Sequence, residues 1–525
     1  MGIYLNPGND NFKKIISREI YVDKSMMIEK LNHFIDTGNE FVCVSRPRRF
    51  GKTFAGNMLS AYYSKGCDSS GIFKRFKISE VVGYTDKLNK YNVIKIDMNS
   101  EYQNADNKDT LIKNLKKYII AEIKESYPKV TFASNDTLEK CMLRVFQTTG
   151  DTFVIIMDEY DVLVRENVEQ KLFDEFLSFL NGLFKSDTLR PAIALAYLTG
   201  IMPIVRDKIQ SKLNNFREYT ILNAGPLSEY IGFTSSEVET LCAQYGMDYS
   251  ECRRWYDGYE QNGFEIYNPE SVVRCLEEKE FESYWSQTSS YEVIAERIRQ
   301  NFAGTRDDVI RMMAGESIRV NVMTFMNTMN SFRSKEDVFT YLIHVGYLAY
   351  DRNTKTCRIP NNEIRLEWEN AISVEEGYET TNAIIKASEE LLTETWNGNA
   401  DAVAKALDES HIHVTSNRSY NNEDALQSAI YLAYLYALNK YNVYKELTTG
   451  KGFADVVYVP VFPDIPAMII ELKHNKSAES ALDQIKDKKY FDSLSHYTGN
   501  LLFVGINYDE DTKTHECRIE RFVKE

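Results

Sequence analysis

The sequence contains no apolar run of the roughly 18 residues needed to cross a bilayer. Its longest candidate, 191–205, is broken by Thr199 and Gly200, so no membrane partner is expected. No apolar segment follows Met1, and the first residues lack the Ser or Thr that N-myristoylation requires; neither a secretory signal nor a lipid anchor is expected. Cysteine is sparse: eight are scattered along 525 residues with no C-x-x-C pair. That argues against a disulfide framework or a zinc site and reads as reduced thiols in a cytoplasmic protein. With 11 prolines and 25 glycines, long disordered or collagen-like tracts are not expected. Positive charge is also short, at 62 Lys plus Arg against 77 Asp plus Glu, a net charge of −15. A chain this acidic is a poor general binder of nucleic acid, because such binding begins by neutralising phosphates. Any nucleic-acid site must be a local basic groove.

What is present fits a soluble globular protein, with 43% hydrophobic and 26% charged residues. The length is three to four times a typical domain of roughly 150 residues, enough for two or three cores. Residues 1–225 alternate apolar strand-like runs (40–44, 92–97, 152–157 and 192–198) with helical patterns, the rhythm of a parallel sheet flanked by helices. Residues 226–370 read as helices separated by aromatic turns. Near 341–356 a helical run leads into a β-hairpin pattern, as in a winged helix. An acidic stretch at 367–379 reads as a connector. Residues 386–525 form a third unit of helices, then strands, then one more helix and strand.

The first chemical signal begins at the strand 40–44. It runs into Ser45-Arg46-Pro47-Arg48-Arg49-Phe50-Gly51-Lys52-Thr53, and a helical pattern follows. Strand, loop, Gly-Lys-Thr and helix is the order a nucleotide phosphate site needs. Backbone N–H groups at a helix start bind phosphate oxygens. Lys52 would reach the β- and γ-phosphates, and the Thr53 hydroxyl would ligate Mg²⁺. The usual first glycine of this loop is Arg46. A second apolar strand, 153–157, ends in Asp158-Glu159. Asp158 would hold Mg²⁺ through water, and Glu159 would polarise the attacking water. A third strand ends at Thr199, which reads equally as a γ-phosphate sensor or as a strand-ending turn. Arg206 is a weaker candidate for an arginine acting in cis.

These residues resemble a known family. Tyr21-Val22-Asp23-Lys24-Ser25, the Arg46–Thr53 loop, Met157-Asp158-Glu159-Tyr160-Asp161 and Leu198-Thr199-Gly200-Ile201 look like the AAA-ATPase-like domain of prokaryotic two-part ATPase–nuclease proteins. Trp255-Tyr256-Asp257-Gly258-Tyr259, Tyr267-Asn268-Pro269 and Ile359-Pro360-Asn361-Asn362-Glu363 look like its middle region. In that family Arg-Pro-Arg-Arg-Phe-Gly-Lys-Thr is the usual loop, so the resemblance makes the missing glycine a family trait. It also implies nucleotide contacts at Arg46, Arg48, Arg49, Phe50, Gly51, Lys52, Thr53, Asp158 and Thr199. AAA-type relatives often assemble into rings. That leaves a homo-oligomer open, although no arginine finger in trans is evident.

The second signal lies near the C-terminus. Gly452-Phe453-Ala454-Asp455 opens one strand, and Met468-Ile469-Ile470-Glu471-Leu472-Lys473 ends another. Period two puts Glu471 and Lys473 on one face, and hairpin pairing would bring Asp455 to Glu471. Two carboxylates can bind Mg²⁺, and a lysine can orient the attacking water and offset developing charge. A solvent-exposed edge strand with alternating charges is the plain alternative. The preceding apolar run argues for a central strand, where an unused charge is costly. This D…E-x-K layout resembles the PD-(D/E)XK nuclease superfamily. The resemblance adds Gln484 beside the lysine and Glu423 as a further carboxylate from a helix expected at 425–440; Glu446 competes for that role. Lys486, Lys488 and Lys489 would touch phosphates. His474 reads as a polar strand end.

The expected fold class is α/β: a P-loop NTPase parallel sheet (1–225), a helical, winged-helix-like middle region (226–370), and a C-terminal restriction-endonuclease-like domain (386–525). The expected function is an ATPase joined to a metal-dependent nuclease acting on DNA, with ATP and Mg²⁺ as cofactors and Mn²⁺ as an alternative at the nuclease site. The competing expectation is a nucleotide-switched scaffold whose nuclease-like domain only binds nucleic acid or protein.

Overall fold

The apolar runs of the first 200 residues become neighbouring strands of one sheet. The computed structural model describes residues 2–166, 168–204, 214–285, 291–313, 315–325, 332–374, 379–414, 430–431, 433–449, 452–460, 465–488 and 500–522. Strands β1 (Phe41–Ser45), β2 (Asn92–Asp97), β3 (Phe153–Asp158), β4 (Ile193–Gly200) and β5 (Arg217–Tyr219) lie in the order β2-β3-β4-β1-β5. Every pairing is parallel. β1, β3 and β4 are buried at every position, which is why they read as unbroken apolar runs. Helix α1 (Lys52–Tyr63) packs on β3 from one side. On the other, α2 (Leu111–Ser126), α3 (Leu138–Thr149) and α4 (Gln170–Phe184) share a core with Cys43, Ile155 and Leu198. Each fully buried Leu, Ile or Phe contributes roughly 1.5–3 kcal/mol, so this core fixes the sheet and the positions of its strand ends.

The contacts divide the chain into two units, Met1–Ser290 with Arg319–Ile364, and Tyr291–Ile318 with Arg365–Glu525. The first therefore includes most of the middle region. There α5 (Ser235–Tyr245), opened by a Thr234–Glu237 capping box, packs with α6 (Tyr249–Tyr256) and α7 (Pro269–Glu278). Strands β6 (Phe233–Thr234), β7 (Tyr259–Gln261) and β8 (Phe264–Tyr267) form a small sheet beside them. Further on, α8 (Lys335–Val345) leads into a hairpin; β9 (Ile318–Arg319), β10 (Ala349–Asp351) and β11 (Thr356–Arg358) pair in the order β10-β11-β9. Helix, hairpin and third strand give the winged-helix-like order. Its helix, however, is buried from Asp337 to His344, so α8 is a core element and not a groove-reading helix.

The stretch expected to be a connector is helical at its start. α9 (Asn362–Val374) buries Ile364, Trp368, Ala371 and Ile372, a helical stripe within an acidic sequence. In the second unit, β12 (Tyr441–Thr449), β13 (Gly452–Pro460), β14 (Ala467–His474), β15 (Leu501–Asp509) and β16 (Thr514–Phe522) run in that order. Only β14 and β15 are parallel. α10 (Glu379–Asn397) and α11 (Ala400–Val414) share a core with Met468, Ile470 and Leu472. The crossover helix α12 (Ala478–Asp487) covers the opposite face at Ile469 and Phe503. The helix expected at 425–440 gives way to a 3₁₀ turn at Leu435–Asn439, and residues 425–429 lie outside the described residues. Among the described residues, no helix is long and apolar enough to cross a membrane.

Helix α12 approaches β15 so closely that a Cβ on Gly505 would fall 2.3 Å from the Ala478 carbonyl oxygen. Backbone cannot retreat cheaply there. Gly505→Ala is therefore expected to destabilise the second unit by about 1–3 kcal/mol, the usual cost of overpacking. A lowered urea midpoint at unchanged slope would show it; an unchanged midpoint would show that α12 is loosely seated.

Candidate functional sites

β1 delivers the chain into the loop at Ser45, where Arg46 N–H donates to the Gly200 carbonyl at 3.0 Å. Arg49 and Gly51 have positive φ angles of 68° and 92°, and the chain then enters α1 at Lys52. This left-handed turn wraps the backbone around a cavity of about 360 Å³. Residues 48–53 and Glu159 line one end; Ile20, Val22, Phe233 and Val273 make another part apolar. The Lys52 amine donates to the Pro47 carbonyl at 2.8 Å. Burial lowers its pKa, while Glu159, Asp158 and Asp161 oppose the shift. The lysine is thus already held inside the curve of the loop, among the acids.

β3 and the turn after it supply those acids. Asp158 is 3% exposed, and burial raises its carboxyl pKa against the pull of a Thr53 hydrogen bond and the Lys52 charge. Lys52, Thr53 and Asp158 therefore share one site. Glu159 N–H donates to Asp158 Oδ1 at 3.0 Å, and Glu159 itself adopts a left-handed φ of 50° at the strand exit. Thr199 stands in register with Asp158 on one side and Val44 on the other. It is fully buried, and its hydroxyl donates to the Val44 carbonyl at 3.0 Å.

Arg46 is placed differently from the sequence expectation. Its guanidinium is fully buried and donates to the carbonyls of Ser45 (2.8 Å) and Tyr219 (3.0 Å). Burial brings its pKa down to about 10. The residue standing where a phosphate loop usually has glycine ties β1 to β5, and it does not line the cavity. The pairing of Glu159 with Arg165, within the short helix Val162–Arg165, had no sequence signal. Arg206 lies outside the described residues.

In the second unit, the antiparallel register Val456↔Ile470 puts Asp455 and Glu471 one step beyond the last paired residues. Asp455 Oδ2 accepts from Leu472 N–H at 2.7 Å. Lys473 Nζ donates to Glu471 Oε1 at 2.7 Å and to the Leu472 carbonyl at 3.1 Å. Gln484, from α12, donates to the same Glu471 oxygen. The sheet and its crossover helix thus bring Asp455, Glu471, Lys473 and Gln484 together. Glu471 is 1% exposed, and its Oε2 is buried with no side-chain hydrogen-bond partner among the described residues. Burial and then the neighbouring Asp455 carboxylate push its carboxyl up to about 7.

Two acids around such a buried oxygen suit a divalent cation. Among the described residues there is no group of three or more His, Cys, Asp or Glu arranged to hold a metal. Glu423 lies outside the described residues, as does the side chain of Glu446. Lys486 pairs with Glu520 at 2.8 Å, Lys488 is exposed, and Lys489 lies outside the described residues. The His474 ring sits 6.0 Å from that of Tyr508, at the strand end.

The fold and these sites define a P-loop nucleotide-binding sheet and a nuclease-type mixed sheet in one chain. Residues 7–210 match the family described as "Predicted AAA-ATPase", and residues 421–517 match the PD-(D/E)XK nuclease superfamily. The chain therefore carries a predicted AAA-ATPase domain and a C-terminal PD-(D/E)XK nuclease superfamily domain, classes that imply use of a nucleotide and a divalent metal. It is 24% identical over 292 residues to the "Uncharacterized protein in vnfD 5'region" of Azotobacter chroococcum mcd 1. That match covers 54% of this chain and spans about half, 54%, of that protein. Two solved structures are similar at low TM-scores. The Aeropyrum pernix ORC2 protein (ADPNP–ADP complexes) has 11% identity, 68% and 96% coverage of this chain and its own, and TM-score 0.28. The Aeropyrum pernix ORC1 protein in complex with DNA has 8% identity, 94% and 99% coverage, and TM-score 0.23. Likeness at that level carries no argument, and the fold assignment rests on sheet order and the family matches.

Below about pH 7 the Glu471 carboxyl is protonated, so a bound divalent ion must displace that proton. Mn²⁺ affinity should then rise about tenfold per pH unit up to roughly 7 and level off above it. Calorimetric Mn²⁺ titrations across this range test the point. Glu471→Gln should remove the slope; a flat wild-type profile would take Glu471 out of the metal site.

Proposed function

We propose that this protein binds and hydrolyses Mg-ATP in residues 1–225 and cleaves phosphodiester bonds in residues 386–525, with DNA as the substrate. In this reading residues 226–370 relay nucleotide state. The ATPase half is supported by Lys52, Thr53 and Glu159 lining one cavity, with Asp158 in hydrogen-bond and charge contact with Thr53 and Lys52. Thr53 and Asp158 would hold Mg²⁺ beside the phosphates. Lys52 would leave the Pro47 carbonyl for the β- and γ-phosphate oxygens, and Glu159 would align the attacking water.

The nuclease half is carried by one observation: Asp455, Glu471, Lys473 and Gln484 converge around the buried Glu471 carboxyl. Asp455 and Glu471 would hold Mg²⁺ or Mn²⁺. A divalent ion there would polarise the scissile phosphate and lower the pKa of its water. Lys473 would orient that water and offset the developing charge. Gln484 would fix the other Glu471 oxygen. Eight free cysteines suit a reducing cytoplasm.

A second reading is a nucleotide-switched scaffold with a nuclease-like domain that only binds. The pairing of Lys486 with Glu520 favours it, because it withdraws one cation from the face expected to meet phosphates. The absence of Mg²⁺ or Mn²⁺ affinity at the Asp455–Glu471 pair would decide for it.

Labelled DNA and RNA, incubated with and without ATP and Mn²⁺, test the leading proposal directly. Lys52→Ala should abolish ATP turnover. Lys473→Ala or Asp455→Ala should cut metal-dependent cleavage by about a hundredfold or more, the scale of losing a group that stabilises developing charge, while ATP turnover continues. Cleavage that persists in Lys473→Ala would remove the nuclease assignment.

A further inference from the structure

Glu159 can align water only if its side chain is held in place. A glutamate has three rotatable side-chain bonds, and its positive φ fixes only the backbone. What holds it lies six residues on. One guanidinium nitrogen of Arg165, Nη2, hydrogen-bonds Glu159 Oε2. Another, Nε, lies 3.1 Å from Asp161 Oδ2. The Arg165 side chain is 11% exposed, Glu159's is 27% and Asp161's is 1%.

Asp161 is in turn anchored by backbone. Its Oδ2 accepts the N–H groups of Ile201 at 3.1 Å and Met202 at 2.8 Å, just past the end of β4. The Tyr160 N–H donates to the Thr199 carbonyl at 3.2 Å, and the Val162 N–H to the Glu159 carbonyl at 3.0 Å. The turn after β3 is thus tied to the end of β4, and the arginine fork carries that tie out to the Glu159 carboxylate. A residue held in an unfavourable φ persists only where its surroundings over-determine it, and such residues cluster at functional sites. The frame that fixes Arg165 also carries Asp158 and Thr199.

We propose that Arg165 is a positioning residue: its guanidinium, braced on Asp161, sets the Glu159 carboxylate in the nucleotide cavity. Arg165 does not line the cavity itself, so it acts through Glu159. The inference rests on the reading of Glu159 as the water-aligning group. It adds to that reading which cation holds the group and through which turn.

The test uses the full chain with Arg165→Met, Arg165→Lys, Glu159→Gln and the Glu159→Gln/Arg165→Met double variant. ATP turnover and ATP affinity are measured on each. In Arg165→Met, kcat should fall roughly tenfold to a hundredfold, the cost of about 1 Å of misplacement, with ATP Kd changed less than about threefold. Arg165→Lys should recover part of the rate, because a single ammonium lacks the planar fork that spans both acids. The double variant should be no slower than Glu159→Gln alone.

Full turnover in Arg165→Met would overturn the proposal. So would a rate loss matched by an equal loss of ATP affinity, or additive losses in the double variant. If Arg165→Met does not fold, Arg165→Lys carries the same split between rate and affinity. A wild-type chain that binds ATP but does not hydrolyse it removes the hydrolysis reading and this inference with it. A wild type that hydrolyses ATP while Glu159→Gln is equally active removes only the Glu159 role and what rests on it.

Discussion

Both sites answer one constraint: a carboxylate buried on an apolar strand cannot stay ionised without a cation. Removing one partner of a buried ion pair costs about 3–5 kcal/mol, a large part of the 5–15 kcal/mol that usually holds a domain folded. β3 is buried along its whole length and ends at Asp158, with Glu159 just beyond it; β14 is buried through Lys473 and carries Glu471 three residues before its end. Their neutralising partners differ. Around β3 the cations are Lys52 and Arg165, from the following helices of the same sheet. On β14 it is Lys473, two residues along the same strand.

That difference follows from sheet geometry. In a parallel sheet the strand ends gather on one edge, so residues far apart in sequence meet there. Asp158, Thr199 and Val44 are consecutive across three strands by register. The loop lysine arrives because α1 starts at the same edge. In the C-terminal sheet the acids meet across an antiparallel pair, and period two alone puts Glu471 and Lys473 on one face. The crossover helix between the parallel strands β14 and β15 then brings Gln484 over that face.

The legible part of the sequence was the part governed by local period. β1, β3 and β4 showed as unbroken apolar runs, and Glu471-x-Lys473 as alternation. Arg46 misled because its position in a loop motif suggests a phosphate contact. Its target, the Tyr219 carbonyl, lies 173 residues away and leaves no local trace. Arg165 was invisible for a related reason: one arginine in a four-residue helix has no pattern, and its meaning comes from the acid six residues back. The acidic stretch at 367–379 looked like a connector because charge hid the stripe. Ile364, Trp368, Ala371 and Ile372 recur at helical spacing, and that spacing won over composition.

The pair Asp455–Glu471 shows why a metal is the natural occupant of such a place. Two close carboxylates in a low-dielectric setting repel, and the pair lowers its energy by taking up a proton or a cation. Here Lys473 and Gln484 both engage Glu471 Oε1, and Oε2 is buried with no side-chain partner among the described residues. A proton satisfies that oxygen at the expense of the anion; a divalent ion held there would satisfy it and neutralise Asp455 as well. With the Glu471 carboxyl raised to about 7, its protonated and ionised forms are close in free energy near neutral pH. A divalent ion approaching such a carboxyl would displace only a weakly held proton. The same arrangement directs the Lys473 ammonium at the Glu471 carboxylate, where it offsets part of the charge of the two acids.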